Sequence, residues 1–453
     1  MKKALFALAI FAMATLGAKA QDSVFSYAYQ GNTLYYIIDS VGNAIVVPPL
    51  WPDYDEPNDA TWTGYTEPSG AVVVPDSVPF GGTMHTVTEV GHDAFYHCEL
   101  VTSITLPASV TTFGEYAFGK CYSLTSFTVP EGATELSSRC FWNDTLLASV
   151  TLPSTLEQIN YRAFYNCKSL QSISLPDGLT IIDRYAFYGC SNLLSVDIPG
   201  SVSVIDEWCF SLCRNLASVT LHEGTETIGY GAFKECTSLT TINYPSTLKV
   251  IDDFSFQYDS LLAIPLVFTE SLIYLGRLAY GDCYSIVTAS LPGSLGEVPG
   301  ELFYGCRSLS TVTLGDGICF IGEQAFNHCP NIDTIFVKSA YPPDMGSLSD
   351  STFFTYNSTV VVPCGTRNAY IVYLGWSEFA EIIEDCGDGI DEHDAPDINI
   401  YATDGRIIVE GADGETVSIF DINGRSVHNS NLPNGVYFVI VGNRPAKKVV
   451  MIR

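Results

Sequence analysis

The side chains best able to do chemistry in this chain are its 14 cysteines, seven histidines and 50 acidic residues. The hydrolytic motifs G-x-S-x-G and H-E-x-x-H do not occur, nor does the phosphate-binding G-x-x-x-x-G-K-S/T loop. The histidines share no regular spacing, and there is no C-x-x-C pair to begin a metal site. The sequence therefore points to no nucleophile, no metal site and no cofactor, and we expect a protein that is not an enzyme.

Nine cysteines belong to one pattern, because each lies three residues after a recurring aromatic residue. Two further copies have Asp144 and Asp259 at that place. Many cysteines in one chain suggest disulfides, but thiols at equivalent places of stacked copies point the same way and not at each other. We favour small buried thiols that hydrogen-bond weakly to backbone. Outside the pattern, Cys364 and Cys386 are the best disulfide candidates. The nine are Cys98, Cys121, Cys167, Cys190, Cys213, Cys236, Cys283, Cys306 and Cys329.

The recurring aromatic residue appears eleven times with a step of 23 residues, except for one step of 24 between Phe256 and Tyr280. With the aromatic as position 0, position −5 is always apolar, +6 is mostly Leu, and +9 and +11 are mostly aliphatic. This spacing predicts one strand per copy with +9 and +11 facing inward, and the rest of the copy forming turns, 3₁₀ turns or a single helical turn. Such short units must stack in a parallel ladder, about 4.8 Å apart, to bury their apolar faces. The aromatics are Phe95, Phe118, Phe141, Phe164, Phe187, Phe210, Phe233, Phe256, Tyr280, Phe303 and Phe326.

The outward strand positions, +8 and +10, form two columns of mostly hydroxyl side chains with one charge, Asp197. A flat face of this kind could bind sugar chains, an extended protein or ordered water. Alternatively, Ser and Thr are simply tolerated on exposed strands. The residues that we predict to contact a ligand are Ser126, Thr128, Ser149, Thr151, Ser172, Ser174, Ser195, Asp197, Ser218, Thr220, Thr241 and Asn243.

The eighth copy departs from the pattern. If its register is kept, Pro265 faces inward while Ile264 and Leu266 are exposed as an apolar contact patch. We expect a bulge there, or a register slip that buries the two apolar residues again.

The repeat resembles the BspA-like, Treponema-type leucine-rich repeat over about residues 87–337, as in Leu170–Pro176 (LQSISLP) followed by Ile182–Cys190 (IDRYAFYGC). The resemblance implies a mainly β, leucine-rich-repeat solenoid, with 21–86 as an N-terminal β cap and 338–380 as the closing cap. It also implies adhesion to host matrix proteins, other cells or glycans through the strand face or its flanking loops.

The two ends of the chain have different compositions from the middle. Residues 1–20 read as a secretory signal peptide, since two lysines precede an apolar run and an Ala-Lys-Ala end. Later segments are too short or too polar to span a bilayer, so we predict no transmembrane segment in the mature chain. Residues 381–397 carry many acids and no Lys or Arg, which predicts a solvated linker.

Residues 398–453 alternate like short strands separated by turn residues, which predicts a small antiparallel β-sandwich. Three stretches, Val417–Arg425 (VSIFDINGR), Leu432–Ile440 (LPNGVYFVI) and Lys447–Ile452 (KKVVMI), resemble the C-terminal sorting domain of the type IX (Por) secretion system of Bacteroidota. That resemblance implies export across the outer membrane, with the type IX machinery as a partner. An ordinary terminal binding module is the alternative.

The formal net charge of −29 argues against nucleic acid and other anionic partners. Taken together, the sequence predicts an exported protein at the cell surface or outside the cell, which binds a protein or a glycan. A structural surface component without a specific ligand is the alternative, and an enzyme with a site near the N-terminal cap is a weaker one.

Overall fold

The structure is a computed structural model that describes residues 24–50, 61–345, 352–353, 355–386, 399–403, 406–410, 417–421, 427–430, 432–433, 435–441 and 447–451. The predicted signal peptide, 1–20, lies outside these residues. The chain forms a parallel-strand solenoid, which confirms the predicted fold class. Within the described part, no helix is long and apolar enough to cross a membrane.

An opening cap precedes the first coil. Its strands build a sheet in the order β1-β2-β3-β6-β5. The short strand Thr112–Phe113 of the second coil continues this sheet by pairing in parallel with the end of β6. β4 instead pairs in parallel with the first coil's outward strand. The strands are β1 (Phe25–Tyr29), β2 (Asn32–Ile38), β3 (Ala44–Val47), β4 (Gly70–Val73), β5 (Ser77–Phe80) and β6 (Thr83–Val90).

Eleven coils follow, numbered 1 to 11 from Phe95 to Phe326, and most contribute two short strands. One strand lies at positions +8 to +11, as predicted, and a two-residue strand lies at −6 and −5, which the sequence pattern did not predict. In chain order the strands are β7 (Val101–Thr105), β8 (Thr112–Phe113), β9 (Ser126–Thr128), β10 (Glu135–Leu136), β11 (Ser149–Thr151), β12 (Gln158–Ile159), β13 (Ile181–Ile182), β14 (Ser195–Ile198), β15 (Val204–Ile205), β16 (Ser218–Leu221), β17 (Thr227–Ile228), β18 (Thr241–Ile242), β19 (Val250–Ile251), β20 (Leu266–Val267), β21 (Tyr274–Leu275), β22 (Thr288–Leu291), β23 (Glu297–Val298), β24 (Thr311–Leu314), β25 (Phe320–Ile321) and β26 (Thr334–Val337).

These strands form two surfaces. We call the outward side of the +8 to +11 strands the strand face, and the −6 and −5 strands the second ladder. The second ladder runs without interruption from β10 to β21, whereas the strand-face ladder is divided into separate sheets. In coil 4 the predicted strand is reduced to a single bridge between Ser149 and Ser172. The predicted parallel ladder of +8 to +11 strands is therefore present in several segments.

The turn between the two strands is also bonded from coil to coil. The N–H of each position-0 aromatic in coils 1 to 10 donates to a carbonyl of the next coil, as from Phe187 to Cys209 at 2.9 Å. Positions −2 and +2 have positive φ in every coil and are usually not glycine, as at Arg162 (φ 58°) and Asn166 (φ 58°). In coils 1 to 8 and in coil 10, the N–H group of each of these left-handed residues donates to a carbonyl of the next coil.

The core is a spine of stacked aromatic rings along the solenoid. Phe187 lies between Phe164 and Phe210, with ring centroids 5.1 Å away on each side, and all eleven aromatics are buried. Cysteines at +3 lie beside this spine. The Sγ of Cys213, for example, donates to the carbonyl oxygen of Phe187 in the preceding coil at 3.2 Å. Stacked rings and inward aliphatic residues thus join all coils into one core.

Coil 8 contains the register slip that its sequence allowed. Leu266, at +10, pairs with Ala289, which is at +9 of the next coil, and Leu266 is fully buried. Pro265 is exposed and Ile264 packs partly against the core. The extra residue is therefore absorbed before the strand, and the predicted apolar patch of Ile264 and Leu266 does not form.

The closing cap consists of β27 (Thr359–Pro363), helix α1 (Arg367–Ile371), a 3₁₀ turn (Trp376–Glu378) and β28 (Glu381–Asp385). β28 pairs in parallel with β27 and ends the last strand-face sheet. The prediction of a solvated linker at 381–397 is wrong for Glu381–Asp385, because alternation places Ile382 in the core while the acidic side chains lie at its rim. Residues 387–397 of that prediction lie outside the described residues.

The C-terminal region forms two small antiparallel sheets, β29-β30 and β31-β32-β33. Five aliphatic residues and Tyr437 make its buried core. The strands are β29 (Asn399–Thr403), β30 (Arg406–Glu410), β31 (Val417–Asp421), β32 (Gly435–Val441) and β33 (Lys447–Met451).

Candidate binding surface

Most of the predicted contact residues stand side by side across the strand face. Ser126 pairs with Ser149, and a bridge continues this column to Ser172. Strand pairing is interrupted between Ser172 of coil 4 and Ser195 of coil 5. Beyond this interruption, Ser195 pairs with Ser218, and Ser218 pairs with Thr241. The +10 column is aligned in the same way, with Thr128 beside Thr151 and Asp197 beside Thr220.

Ten of the twelve side chains are exposed; Ser218 and Thr241 are half-buried. Inward neighbours such as Phe127, Val150 and Val196 are buried, so the alternation of a pleated strand separates the two sets. The exposed hydroxyls can donate and accept hydrogen bonds. Within the described part of the chain, most have no protein partner and are open to water or a ligand.

Two of the predicted residues are occupied by other contacts. The Asn243 side chain accepts from the Leu221 N–H at 2.8 Å and donates to the Leu221 carbonyl, so it ties coil 7 to coil 6. Asp197 lies 2.7 Å from the Nε2 atom of His222. His222 was not predicted as a contact residue. The sequence feature that could have indicated His222 is its place at position +12, where seven other coils have Pro.

The hydroxyl column is longer than the predicted set. Thr288, Thr311 and Thr334 follow in register, and Thr359 of the closing cap continues the same column. Thr359 donates to Glu381 at 3.0 Å. The 23-residue step could not reveal Thr359, because the closing cap begins with a longer insertion.

Apolar side chains occupy parts of the +10 column toward the C-terminal end. Val267 is 65% exposed and Phe336 is 39% exposed on this face. The register places Phe336 beside Val361, and Val361 beside Ile383 at the sheet edge. The face is therefore polar over coils 2 to 7 and mixed near its end.

Cysteine and acidic side chains show no arrangement for catalysis in the described residues. Burial raises the pKa of the Cys213 thiol well above its ordinary value, and the same holds for its neighbours in the column, so these thiols are weak nucleophiles. Cys364 and Cys386 are joined by a disulfide. With Glu384 they form the one described cluster of metal-type ligands, but both sulfurs are used in the disulfide.

Asp144 and Asp259 replace cysteine inside the core. Both are fully buried, and burial raises the pKa of each carboxyl well above its ordinary value. Asp144 accepts the Cys121 N–H at 2.8 Å, while its second oxygen has no hydrogen-bond partner. Both carboxyls belong to the core and take no part in the strand face.

Stacked coils, an aromatic spine and a parallel strand face define a leucine-rich-repeat solenoid. The model of the BspA-type leucine-rich repeat region matches residues 83–150, 134–263 and 262–362, which together cover more than half of the chain. The chain belongs to this family. No curated protein matches it.

Solved structures of other leucine-rich repeat proteins are similar to this chain. One is a leucine-rich repeat protein from Bacteroides ovatus, at 23% identity over 69% of this chain and 95% of that one, with a TM-score of 0.42. Another is a leucine-rich cell surface protein from Faecalibacterium prausnitzii, at 20% identity over 73% and 97%, with a TM-score of 0.34. A third is a leucine-rich repeat protein from T. pallidum, at 25% identity over 55% and 86%, with a TM-score of 0.34.

Proposed function

We propose that this chain is an exported, surface-displayed binding protein that contacts a protein or glycan ligand through its strand face and performs no chemistry. The observation that carries the proposal is the register of the columns. Serines and threonines from separate coils form an exposed surface with a single carboxylate over coils 2 to 7. Repeat proteins use such extended surfaces to bind partners.

Export is part of the proposal. The signal-like residues 1–20 would direct the chain across the inner membrane, and residues 398–453 would act as a type IX sorting domain. The compact core of Ile407, Ile419, Tyr437, Val439 and Val449 supports a module separate from the solenoid core. Secretion of the full chain, compared with a chain that ends at residue 397, tests the sorting role: the shorter chain should stay inside the cell envelope.

A binding assay tests the role of the strand face. The purified chain is applied to immobilised matrix proteins, glycans and whole cells, beside a variant with Thr128→Arg, Thr151→Arg and Ser195→Arg. All three residues are exposed on the strand face, and arginine there would block contact without entering the core. We expect the variant to lose binding at least tenfold, the scale of one or two lost contacts.

A matched control carries the same kind of substitution in the second ladder at Thr112, and one residue before it at Thr134 and Thr180; all three are also exposed. This control should bind like the unchanged protein. Equal binding by both variants would exclude the strand face. A chain that binds none of the probes would favour a structural surface component instead.

A further inference from the structure

The strand face opens into a groove between coils 4 and 5. On the strand face, coil 4 pairs with coil 3 through the single bridge between Ser149 and Ser172. β14 of coil 5 pairs with β16 of coil 6, and not with coil 4. A cavity of about 440 Å³ lies at this break. Its lining includes Ser172, Ser174, Ser195, Asp197, Pro199 and His222.

The groove is too narrow to admit an additional peptide strand. Just before it, the Leu194 N–H donates to the Gln171 carbonyl at 3.1 Å, so the two coils remain in direct contact. Behind it, the rings of Phe164 and Phe187 stay 5.1 Å apart. Inserting a strand would require roughly twice the 4.8 Å spacing of neighbouring strands. A ligand must therefore bind through side chains and not by joining the sheet.

The side chains of the groove suit hydroxyl groups. The hydroxyls of Ser172, Ser174 and Ser195 make no hydrogen bond to any described residue and can both donate and accept. One oxygen of Asp197 is held by His222 at 2.7 Å, while the carboxylate is 73% exposed and keeps acceptor capacity. A carboxylate beside several hydroxyls can accept from neighbouring hydroxyls of one sugar ring.

The apolar floor and the negative charge of the groove further restrict the kind of sugar that it can bind. Ile173, Leu175 and Pro199 supply apolar contact for the C–H groups of a sugar. The net charge of −29 and the carboxylate of Asp197 disfavour uronic acids and sulfated sugars. A neutral sugar fits both features.

We propose that this groove is a subsite for one neutral sugar unit of a glycan chain lying on the strand face, an inference that rests on the proposed binding function. Asp197 and the three serines bind the sugar hydroxyls, and His222 positions the carboxylate.

The full exported chain is tested on an array of neutral and uronic-acid-containing oligosaccharides, followed by calorimetric titration with the tightest neutral one. Ser195→Arg fills the groove, and Asp197→Asn keeps its shape but removes the charged acceptor. We expect each variant to bind roughly tenfold or more weakly, since hydrogen bonds to a charged group are the strong ones. Thr112→Arg, on the second ladder and away from the strand face, is the control and should retain binding. Melting temperatures verify that all three variants fold.

The outcomes separate this inference from the proposed function. Binding of a neutral oligosaccharide that Ser195→Arg leaves unchanged overturns the subsite. Binding of matrix proteins or cells without any neutral oligosaccharide also overturns it, while the binding function stands. If no protein, cell or glycan binds, both fail.

Discussion

At the scale of single residues, most cysteines are regularly spaced in the sequence and buried in the core, where their thiols are poorly reactive. Eleven of the twelve free thiols are buried, and Cys319 is exposed. We expect the native protein to react with a thiol reagent at one residue, Cys319. The denatured protein should show twelve thiols, and fourteen after reduction of the Cys364–Cys386 disulfide. A lower count in the denatured, unreduced protein would mean that column thiols are paired, against the structure.

A second prediction concerns Asp144. Its pKa is raised by burial, so the folded protein keeps the proton at a pH where the unfolded chain, with an ordinary value of 3.8, has lost it. The unfolded state then binds fewer protons, and stability falls as pH rises above about 4. Asp144→Asn removes this penalty. Relative to wild type, the variant should gain about 1.4 kcal/mol in free energy of unfolding per pH unit, up to the folded pKa.

Urea unfolding between pH 4 and pH 8 measures this difference. Asp177→Asn, at an exposed site, is the control and should follow the wild type across the range. Parallel curves for wild type and Asp144→Asn would show that the buried carboxyl does not carry the proton.

At the scale of elements, the register of coil 8 depends on a single extra residue. Ala263 is exposed and lies between Leu262 at +6 and the slipped strand that begins at Leu266. Deleting Ala263 restores the 23-residue step and should change the free energy of unfolding by only about 1 kcal/mol. Deleting Thr240 in coil 7 should cost several times as much, because Ile242 would leave its inward place.

Urea denaturation of the two deletion variants checks this comparison. Equal destabilisation would mean that the insertion in coil 8 is part of the packing and not a residue looped out before the strand.

The same elements show what sequence could and could not predict. Spacing predicted the spine, the inward positions and the columns, because each coil repeats the same burial. The second ladder was missed, since strands of two residues carry no alternation to detect. The left-handed positions were also missed, because residues such as Arg162, Trp208 and Leu212 fill them in place of glycine. Hydrogen bonds between coils stabilise the positive-φ backbone at these positions. The local sequence does not indicate this conformation, because it is glycine that ordinarily favours positive φ.

The candidate site was predicted to a similar extent. The two columns follow from the 23-residue repeat and from the alternation of side chains along a pleated strand. The twelve predicted contact positions could therefore be assigned from the sequence. The opening beside coil 4 depends on how strongly neighbouring coils pair, which composition does not reveal. Asn243 and His222 depend on side-chain contacts between adjacent coils, so their roles emerged only with the fold.

At the scale of the whole molecule, stability should be a sum of contacts between neighbouring coils, because each coil touches little else. The spine does not end at the last coil: Phe353 of the closing region stacks on Phe326 with ring centroids 4.9 Å apart. Phe353 is buried and also meets Phe379 edge-on at 5.2 Å. The cap thus covers the ring that the last coil would otherwise expose.

Phe353→Ala should therefore loosen one end of the solenoid and leave the rest intact. Removing a buried ring costs about 3–5 kcal/mol, and in a chain of neighbouring contacts that loss falls first on coil 11 and the cap. Hydrogen exchange should quicken in peptides around Phe326 and β27, while peptides around Phe141 keep their protection. Tyr373→Ala, an exposed aromatic of the same cap, should leave both regions unchanged. Uniform loss of protection along the chain would instead show that the coils unfold as a single cooperative unit, with the cap coupled to every one of them.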